Sequence, residues 1–421
     1  MQFNNTLEHA RELDTHDELR KFRDLFVVRD PDTIYMDGNS LGRMPKASLD
    51  LISDLSKQWS GDLINGWKNG WFELSHKVGG KIAKLIGAKA NEVIVADSTS
   101  INLLKLVLAG LQLNASKKVI VSDELNFPSD LHALQAANKL LGGRHRLRTM
   151  RSEDGITISD RELEKAIRPD VALVELSLTA FKSGFTYDMA AVTRMARNSG
   201  ALMLWDLSHS VGAMPIDLNK HKVDLAVGCT YKYLNGGPGS PAFLFIREGL
   251  QEKLRNPLAG WFGQKNQFKF AIEHEPAKGI TQFLTGTPPI LSLAPIEIGA
   301  EISLQAGMEK IRRKSSEQTA YFISLYREML APLGVSLNSP ERVEQRGSHV
   351  SLGHPGGYAI DRALIAEMKV IPDFRAPDNI RFGLAPLYTS YEDIYRAVTR
   401  VQSVLRNKIY KKYTKAITGV T

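Results

Sequence analysis

Residues 202–212 read LMLWDLSHSVG and residues 224–240 read DLAVGCTYKYLNGGPGS. The first is an apolar strand that ends in Asp206 and then turns polar, with His209 three positions further on. The second is another apolar strand, which runs into Tyr231, Lys232 and a glycine-rich loop. Outward from this pair, from about residue 90 to 250, short β-rich runs alternate with amphipathic stretches. A strand at 92–96 precedes a helix from about Ser100, and a strand at 118–122 precedes one from about Ser129. The series continues with a strand at 171–177, a helix near 190–198 and strands at 201–205, 225–228 and 242–247. Strands alternating with helices predict an α/β domain with a mostly parallel central sheet flanked by helices, because parallel neighbours need crossover connections. Ligands in such folds sit at the carboxyl ends of the strands, where Asp206 and Lys232 both fall.

After about Pro289 the pattern changes to a long helical stretch, 291–308 and on through Arg327, followed by shorter mixed elements. The predicted organisation is an N-terminal segment 1–45 beside the small domain and the site entrance, a large domain 46–290, and a smaller α+β domain 291–421. At 421 residues, 43% hydrophobic and 24% charged, the chain has ample material for a buried core. Its single cysteine, Cys229, cannot form an internal disulfide or a multi-thiolate metal site. That points to a reducing compartment, with the cytoplasm expected, and to no metal. The opening MQFNNTLEHARELD has neither a signal-peptide nor a transit pattern, and no run approaches the ~20 apolar residues of a membrane span. The net charge of +8 reads as a solvated basic surface. The basic end, KIYKKYTKAITGVT, is expected to be a frayed or surface-packed tail rather than a nucleic-acid contact.

A strand-end Asp followed one crossover later by a strand-end Lys suits one chemistry in particular. Pyridoxal phosphate needs a lysine amine for a Schiff base and a carboxylate opposite its ring nitrogen to keep it protonated. Its phosphate needs a seat. Asp97-Ser98-Thr99-Ser100 places hydroxyls and free backbone N–H groups where an apolar helix begins, a position that favours anions. The next turn, Asn126-Phe127-Pro128-Ser129-Asp130, offers an aromatic face and polar groups to a ring. Plainer readings stay open at this point: Asp206 as a helix N-cap, Lys232 as a surface lysine, residues 97–100 as an ordinary cap and 126–130 as an ordinary loop.

Taken together, the segments YMDGNSLG (35–42), TYKYLNGGPGS (230–240), GWFG (260–263), GTPPI (286–290) and IRFGLAPLY (380–388) resemble the kynureninase family in nearly the full length of the chain. That resemblance implies the large aspartate-aminotransferase-like fold and hydrolytic Cβ–Cγ cleavage of L-kynurenine or 3-hydroxy-L-kynurenine. The products would be anthranilate or 3-hydroxyanthranilate plus L-alanine, in tryptophan catabolism or NAD biosynthesis. It implies catalytic roles for Lys232, Tyr231 and Asp206. A cofactor shell follows from Thr99, Ser100, Phe127, Pro128, Ser129, Asp130, Ser177, His209, Trp261 and Thr287. Arg381 is implied for the substrate α-carboxylate, with Ser40 and Trp67 also facing substrate, and Trp71 and His76 near the mouth.

In relatives the positions matching Trp261 and Thr287 reach the neighbouring subunit's cofactor, so a homodimer with shared sites is expected. Trp261 also reads as packing, Thr287 as a turn residue and Arg381 as an ion-pair partner. The same fold hosts aminotransferases, carbon–sulfur lyases and conceivable aryl-alanine hydrolases. Two departures from the family pattern, Leu178-Thr179-Ala180 and Ser208 in place of an alanine, are expected beside the cofactor ring.

Overall fold

The computed structural model describes residues 3–413, so the last eight residues of the basic tail lie outside the described residues. Thirteen strands occur among them: β1 (Ile34–Tyr35), β2 (Val93–Val95), β3 (Val119–Asp123), β4 (Arg146–Met150), β5 (Val171–Ser177), β6 (Leu202–Asp206), β7 (Leu225–Gly228), β8 (Phe243–Ile246), β9 (Ser336–Leu337), β10 (His349–Gly353), β11 (Val370–Ile371), β12 (Asp373–Arg375) and β13 (Asn379–Gly383). A seven-stranded sheet runs in the order β2-β8-β7-β6-β5-β3-β4. Five of its strands, β4-β3-β5-β6-β7, are mutually parallel, and β8 and β2 close one edge antiparallel. The half-exposed edge strand β4 is the one strand of this sheet that the sequence pattern missed. RLRTM alternates basic and apolar residues and lacks the continuous greasy run of β5.

Both faces of the sheet are covered, which is why its inner strands are buried and begin as continuous apolar runs, with polar residues only toward their carboxyl ends. Alternate side chains enter different cores. Val93, Val95, Met203 and Trp205 pack on one face with Val78 and Ile82 of the helix Leu74–Leu85. Ile94 and Leu204 pack on the other with Leu103, Leu106 and Val107 of the helix Thr99–Leu113.

A second, antiparallel sheet runs β12-β13-β10-β9. It packs against the helices Met308–Met329, Gly357–Met368 and Tyr391–Arg406 through a core of Phe322, Leu325, Val350, Leu364, Phe382 and Val398. The N-terminal strand β1 pairs in parallel with β11 beside it. The helical stretch expected to run unbroken through Arg327 is two helices, Ile290–Ala306 and Met308–Met329. Gly307 separates them with φ 83°, a conformation that glycine reaches at no steric cost and that ends an α-helix. The first of the two packs on the helices Lys46–Asp62 and Leu74–Leu85, and its Leu293, Ile296 and Ala300 join the core of the large sheet. Of the basic tail, residues 409–413 pack on the helix Gly357–Met368, where Lys412 pairs with Glu367 at 3.1 Å. No helix among the described residues is long and apolar enough to cross a membrane.

Candidate active site

β6 and β7 are parallel neighbours, so their carboxyl ends lie at one sheet edge. β6 ends on Asp206, and β7 ends four residues before Lys232. Two distant segments brace the lysine loop. The Gly42 N–H donates to the Tyr231 carbonyl at 2.7 Å, in an approach so close that a Cβ on Gly42 would stand 2.3 Å from the Lys232 carbonyl oxygen. Gly299, in the helix Ile290–Ala306, is pressed on the Leu234 carbonyl, where a Cβ would come within 1.7 Å. Glycine is required at both positions by proximity, whatever the local φ.

These residues open on a cavity of about 770 Å³. Its wall includes Thr99, Ser100, Phe127, Ser129, Asp130, Asp206, His209, Tyr231, Lys232, Thr287, Ser40 and Arg381, all named from the sequence. Other expected residues lie elsewhere. Pro128 occupies the first turn of the helix Pro128–Leu140. Ser177 is one layer back, paired across the sheet with Asp206 and donating to Asn126 Oδ1 at 2.7 Å. Trp67 packs on Trp71 and Phe262, Trp261 is 42% exposed, and His76 sits against Thr281. Thr287, expected to serve a neighbouring subunit, lines the cavity of its own chain.

The two departures separate. Leu178, Thr179 and Ala180 are buried away from the cavity, with the Thr179 hydroxyl bonded to Thr186 and Ser210, so the expectation that they flank the ring is corrected. Ser208 does line it, and its hydroxyl donates to Asp206 Oδ1 at 2.6 Å beside the Ser208 N–H at 2.8 Å.

Electrostatics divide the charged groups. Asp130 is buried and faces Asp206. Burial first, then the Asp206 charge, hold it well above the usual carboxylate range. Glu175, one strand position behind Leu176, is pushed up to about 8, mainly by burial, and accepts from Asn126 Nδ2 at 2.7 Å. Lys232 Nζ lies 2.8 Å from His209 Nε2. Burial and the Lys232 charge hold His209 far below its ordinary value, so its ring is neutral. When the ammonium donates to Nε2, proton counting puts the ring hydrogen on Nδ1, which has no partner. Tyr231 is raised by the neighbouring Cys229 thiol and by burial, and so stays a phenol.

The helix start at which the sequence expects an anion is present, with an addition. Ser98 caps the helix Thr99–Leu113, accepting from the Ile101 N–H at 3.4 Å. Asp97, with φ 46°, is clasped by the fully buried Lys105 and by the Thr285 hydroxyl at 3.0 Å. Lys105 and Thr285 were not among the expected residues. The signal for the first was present, a lone lysine within the apolar run INLLKLVLAGLQL.

A family model described as the kynureninase C-terminal domain matches residues 311–401. The kynureninase of Pseudomonas fluorescens is 41% identical over 404 residues, covering 94% of this chain and 95% of the relative. The chain belongs to the kynureninase family. Its fold is also that of a cysteine desulfurase from Thermococcus onnurineus NA1, at TM-score 0.77 and 19% identity, over 89% of this chain and 95% of that one. A mutant of C-DES, with glycine covalently linked to its pyridoxal-phosphate cofactor, superposes at TM-score 0.76 and 17% identity, over 88% of this chain and 97% of that one.

Kynureninases are pyridoxal-phosphate-dependent hydrolases of carbon–carbon bonds, and the cavity fits that cofactor. It holds one primary amine, an acid at the adjacent strand end and a hydroxyl-lined helix N-terminus. Two buried polar atoms on its wall, Asp130 Oδ2 and His209 Nδ1, lack a hydrogen-bond partner within the chain. A polar ring bound between them would supply one.

Proposed function

We propose that this chain cleaves the Cβ–Cγ bond of L-kynurenine, 3-hydroxy-L-kynurenine or both, releasing the aryl amine acid and L-alanine in tryptophan catabolism or NAD biosynthesis. The observation that carries this reading is the opening of Lys232, Asp206 and Arg381 onto one cavity in a chain of this family. When bound, pyridoxal phosphate supplies an electron sink for negative charge at the substrate α-carbon.

The chain's own residues do the rest. Asp206, which accepts from the Ser208 N–H and hydroxyl, faces the cofactor ring nitrogen and favours its protonated form. Lys232 anchors the cofactor and moves the α-proton, and neutral His209 accepts from its ammonium. Thr99 and Ser100 receive the phosphate at a helix N-terminus, Phe127 and Ser129 contact the ring, and Ser177 holds Asn126 behind it. Tyr231 keeps its phenolic proton and is the acid–base group for the γ-carbonyl. Arg381 and Ser40 receive the α-carboxylate.

The protein is a cytoplasmic homodimer in this reading. In support, Trp59, Leu63, Ile64, Phe268, Phe270, Ile272 and Leu291 are exposed apolar residues, and Trp59 and Leu291 share a groove with Pro289, which also lines the cavity. Trp261 packs on Phe268 with ring centroids 5.6 Å apart, and the family resemblance assigns it to a neighbour's cofactor. Assaying the purified holoenzyme on both kynurenines, with release of the aromatic amine followed by fluorescence, tests the activity. Absence of aromatic product from either substrate would end the reading.

A further inference from the structure

The hairpin β12–β13 carries a charge arrangement that the α-carboxylate role of Arg381 leaves incomplete. Asp373 stands directly opposite Arg381 across the ladder, and Arg375 lies two residues along β12, on the same face of the sheet. Arg381 is almost fully committed to the protein. Its Nε donates to Asp373 Oδ1 at 2.7 Å, Nη2 to Asp373 Oδ2 and to Ser40 Oγ at 3.0 Å, and Nη1 to the Phe181 carbonyl at 2.5 Å. Of the five N–H groups of a guanidinium, one remains free.

Arg375 is less tied. Its Nη2 meets Asp373 Oδ2 at 2.7 Å and its Nη1 donates to the Phe374 carbonyl at 2.8 Å, which leaves three N–H groups. Its side chain is 27% exposed against 2% for Arg381, and both line the cavity.

Burial would raise Asp373, but Arg381 and Arg375 outweigh it and hold that carboxyl ionised. Asp37 and Asp361, the next acids, are each pushed up to about 7, chiefly by burial and then by Asp373, so neither carries a full charge at neutral pH. His349 behind the pair is neutral, at about 3, through burial and Arg381. Asp373 is thus the one carboxylate that touches both guanidinium groups, and its two oxygens leave the remaining N–H groups of Arg375 without an acceptor at the cavity wall.

We propose that Arg375 is a second carboxylate-binding residue. The substrate α-carboxylate lies against the free N–H groups of Arg375 and the remaining one of Arg381, and Asp373 is the shared strut that fixes both forks. This rests on the reading of the cavity as an amino-acid site and adds a contact to it. Arg375→Gln should raise KM for kynurenine by about 10- to 100-fold, the worth of a charge-assisted hydrogen bond, while kcat stays within about threefold.

The discriminating probe is kynurenine without its carboxylate, the corresponding aryl-ketone amine, used as a competitive inhibitor. Its inhibition constant should be the same in wild type and variant. A parallel rise of both constants, or a KM changed by less than twofold, would overturn the proposal. Arg375→Lys, which keeps the charge on Asp373 and loses the planar fork, should show the same selective loss in smaller measure. Titrating the holoenzyme chromophore with L-alanine and with ethylamine reads the same contact without turnover. A wild-type enzyme inactive on kynurenine would therefore sink the activity alone, whereas an unchanged alanine-to-ethylamine preference in Arg375→Gln would sink this inference.

Discussion

Replacing Lys105 by Met and, separately, Asp97 by Asn breaks the same ion pair from its two ends, and the structure predicts different costs. The Lys105 side chain is 0% exposed and donates to Asp97 and to the Phe283 carbonyl at 2.7 Å, whereas the Asp97 side chain is 26% exposed and retains Thr285 at 3.0 Å. Breaking a buried pair by deleting one partner costs ~3–5 kcal/mol when the survivor is left uncompensated in the interior. Asp97→Asn leaves a fully buried ammonium and should lie at the upper end of that range. Lys105→Met leaves a carboxylate that water can reach and also removes the ammonium's own desolvation penalty. Against this stands the unpaired Phe283 carbonyl, worth ~1–3 kcal/mol. The expected loss for Lys105→Met is therefore about 2–3 kcal/mol.

Cofactor affinity should move the opposite way in the two variants. Asp97 immediately precedes the Ser98–Ser100 seat, so an unneutralised carboxylate there repels a phosphate. At an effective dielectric of ~20 and ~10 Å separation this is worth about 1–2 kcal/mol, or roughly tenfold in affinity. Lys105→Met should weaken retention of pyridoxal phosphate, while Asp97→Asn should leave it unchanged or tighter despite its lower stability. Thermal unfolding of the holoenzyme gives the stability order, and equilibrium dialysis gives the affinities. If Asp97→Asn proves the milder lesion, or if both variants lose cofactor equally, the clasp does not work by charge.

Three further outcomes follow from the same geometry. Lys232→Ala should lower turnover by at least about 10³-fold, because no second amine lines the cavity; near-normal aromatic-amine release in that variant would refute the assignment of Lys232. Glu175, raised from 4.5 to about 8, keeps its proton in the folded chain after the unfolded chain has released it, so stability falls as pH rises through that window by up to ~1.4 kcal/mol per unit. Denaturant titrations at pH 5, 6.5 and 8 should show a flatter profile for Glu175→Gln and a more stable variant at pH 8; parallel profiles would place the proton elsewhere. Ser208→Ala removes the 2.6 Å donor to Asp206 and leaves the Cys229 N–H unpaired, so pyridoxal phosphate should bind about tenfold more weakly, and unaltered dialysis constants would contradict that.

The central strands and the Asp206–Lys232 pair were legible because they rest on local rules: continuous apolar runs for doubly covered strands, and polar residues at their carboxyl ends. What escaped was encoded between distant segments. The Lys105–Phe283 contact spans 178 positions, and the Arg381–Ser40 contact spans 341. No window of sequence shows that either side chain is already committed. The edge strand β4 escaped because half-exposed positions weaken the apolar signal. The break at Gly307 was visible as a glycine, but a glycine within an apolar helical pattern does not by itself disclose φ 83°. Thr179 and Ser208 were equally unusual in the sequence; only the fold separates them, one bonded into the core and the other bonded to the cofactor acid.

Two walls of the cavity carry opposite imbalances. On the strand ends of the large sheet, Asp130, Asp206 and Glu175 crowd together, and burial with that crowding holds Asp130 and Glu175 above the usual carboxylate range. On the small sheet, Arg375 and Arg381 both face Asp373, and Arg375 keeps three N–H groups without an acceptor at the cavity wall. In the proposed reading, the first wall would be complete with a cationic ring nitrogen held by Asp206. The second is complete only when an anion arrives. A ligand with a carboxylate satisfies the small-sheet wall while the large-sheet wall holds the cofactor, and this polarity orients an amino acid before any aromatic contact is made. It follows that substrates should be sorted by their carboxylate first and their ring second, so kynurenine and its 3-hydroxy relative should differ far less in affinity than either differs from its decarboxylated amine.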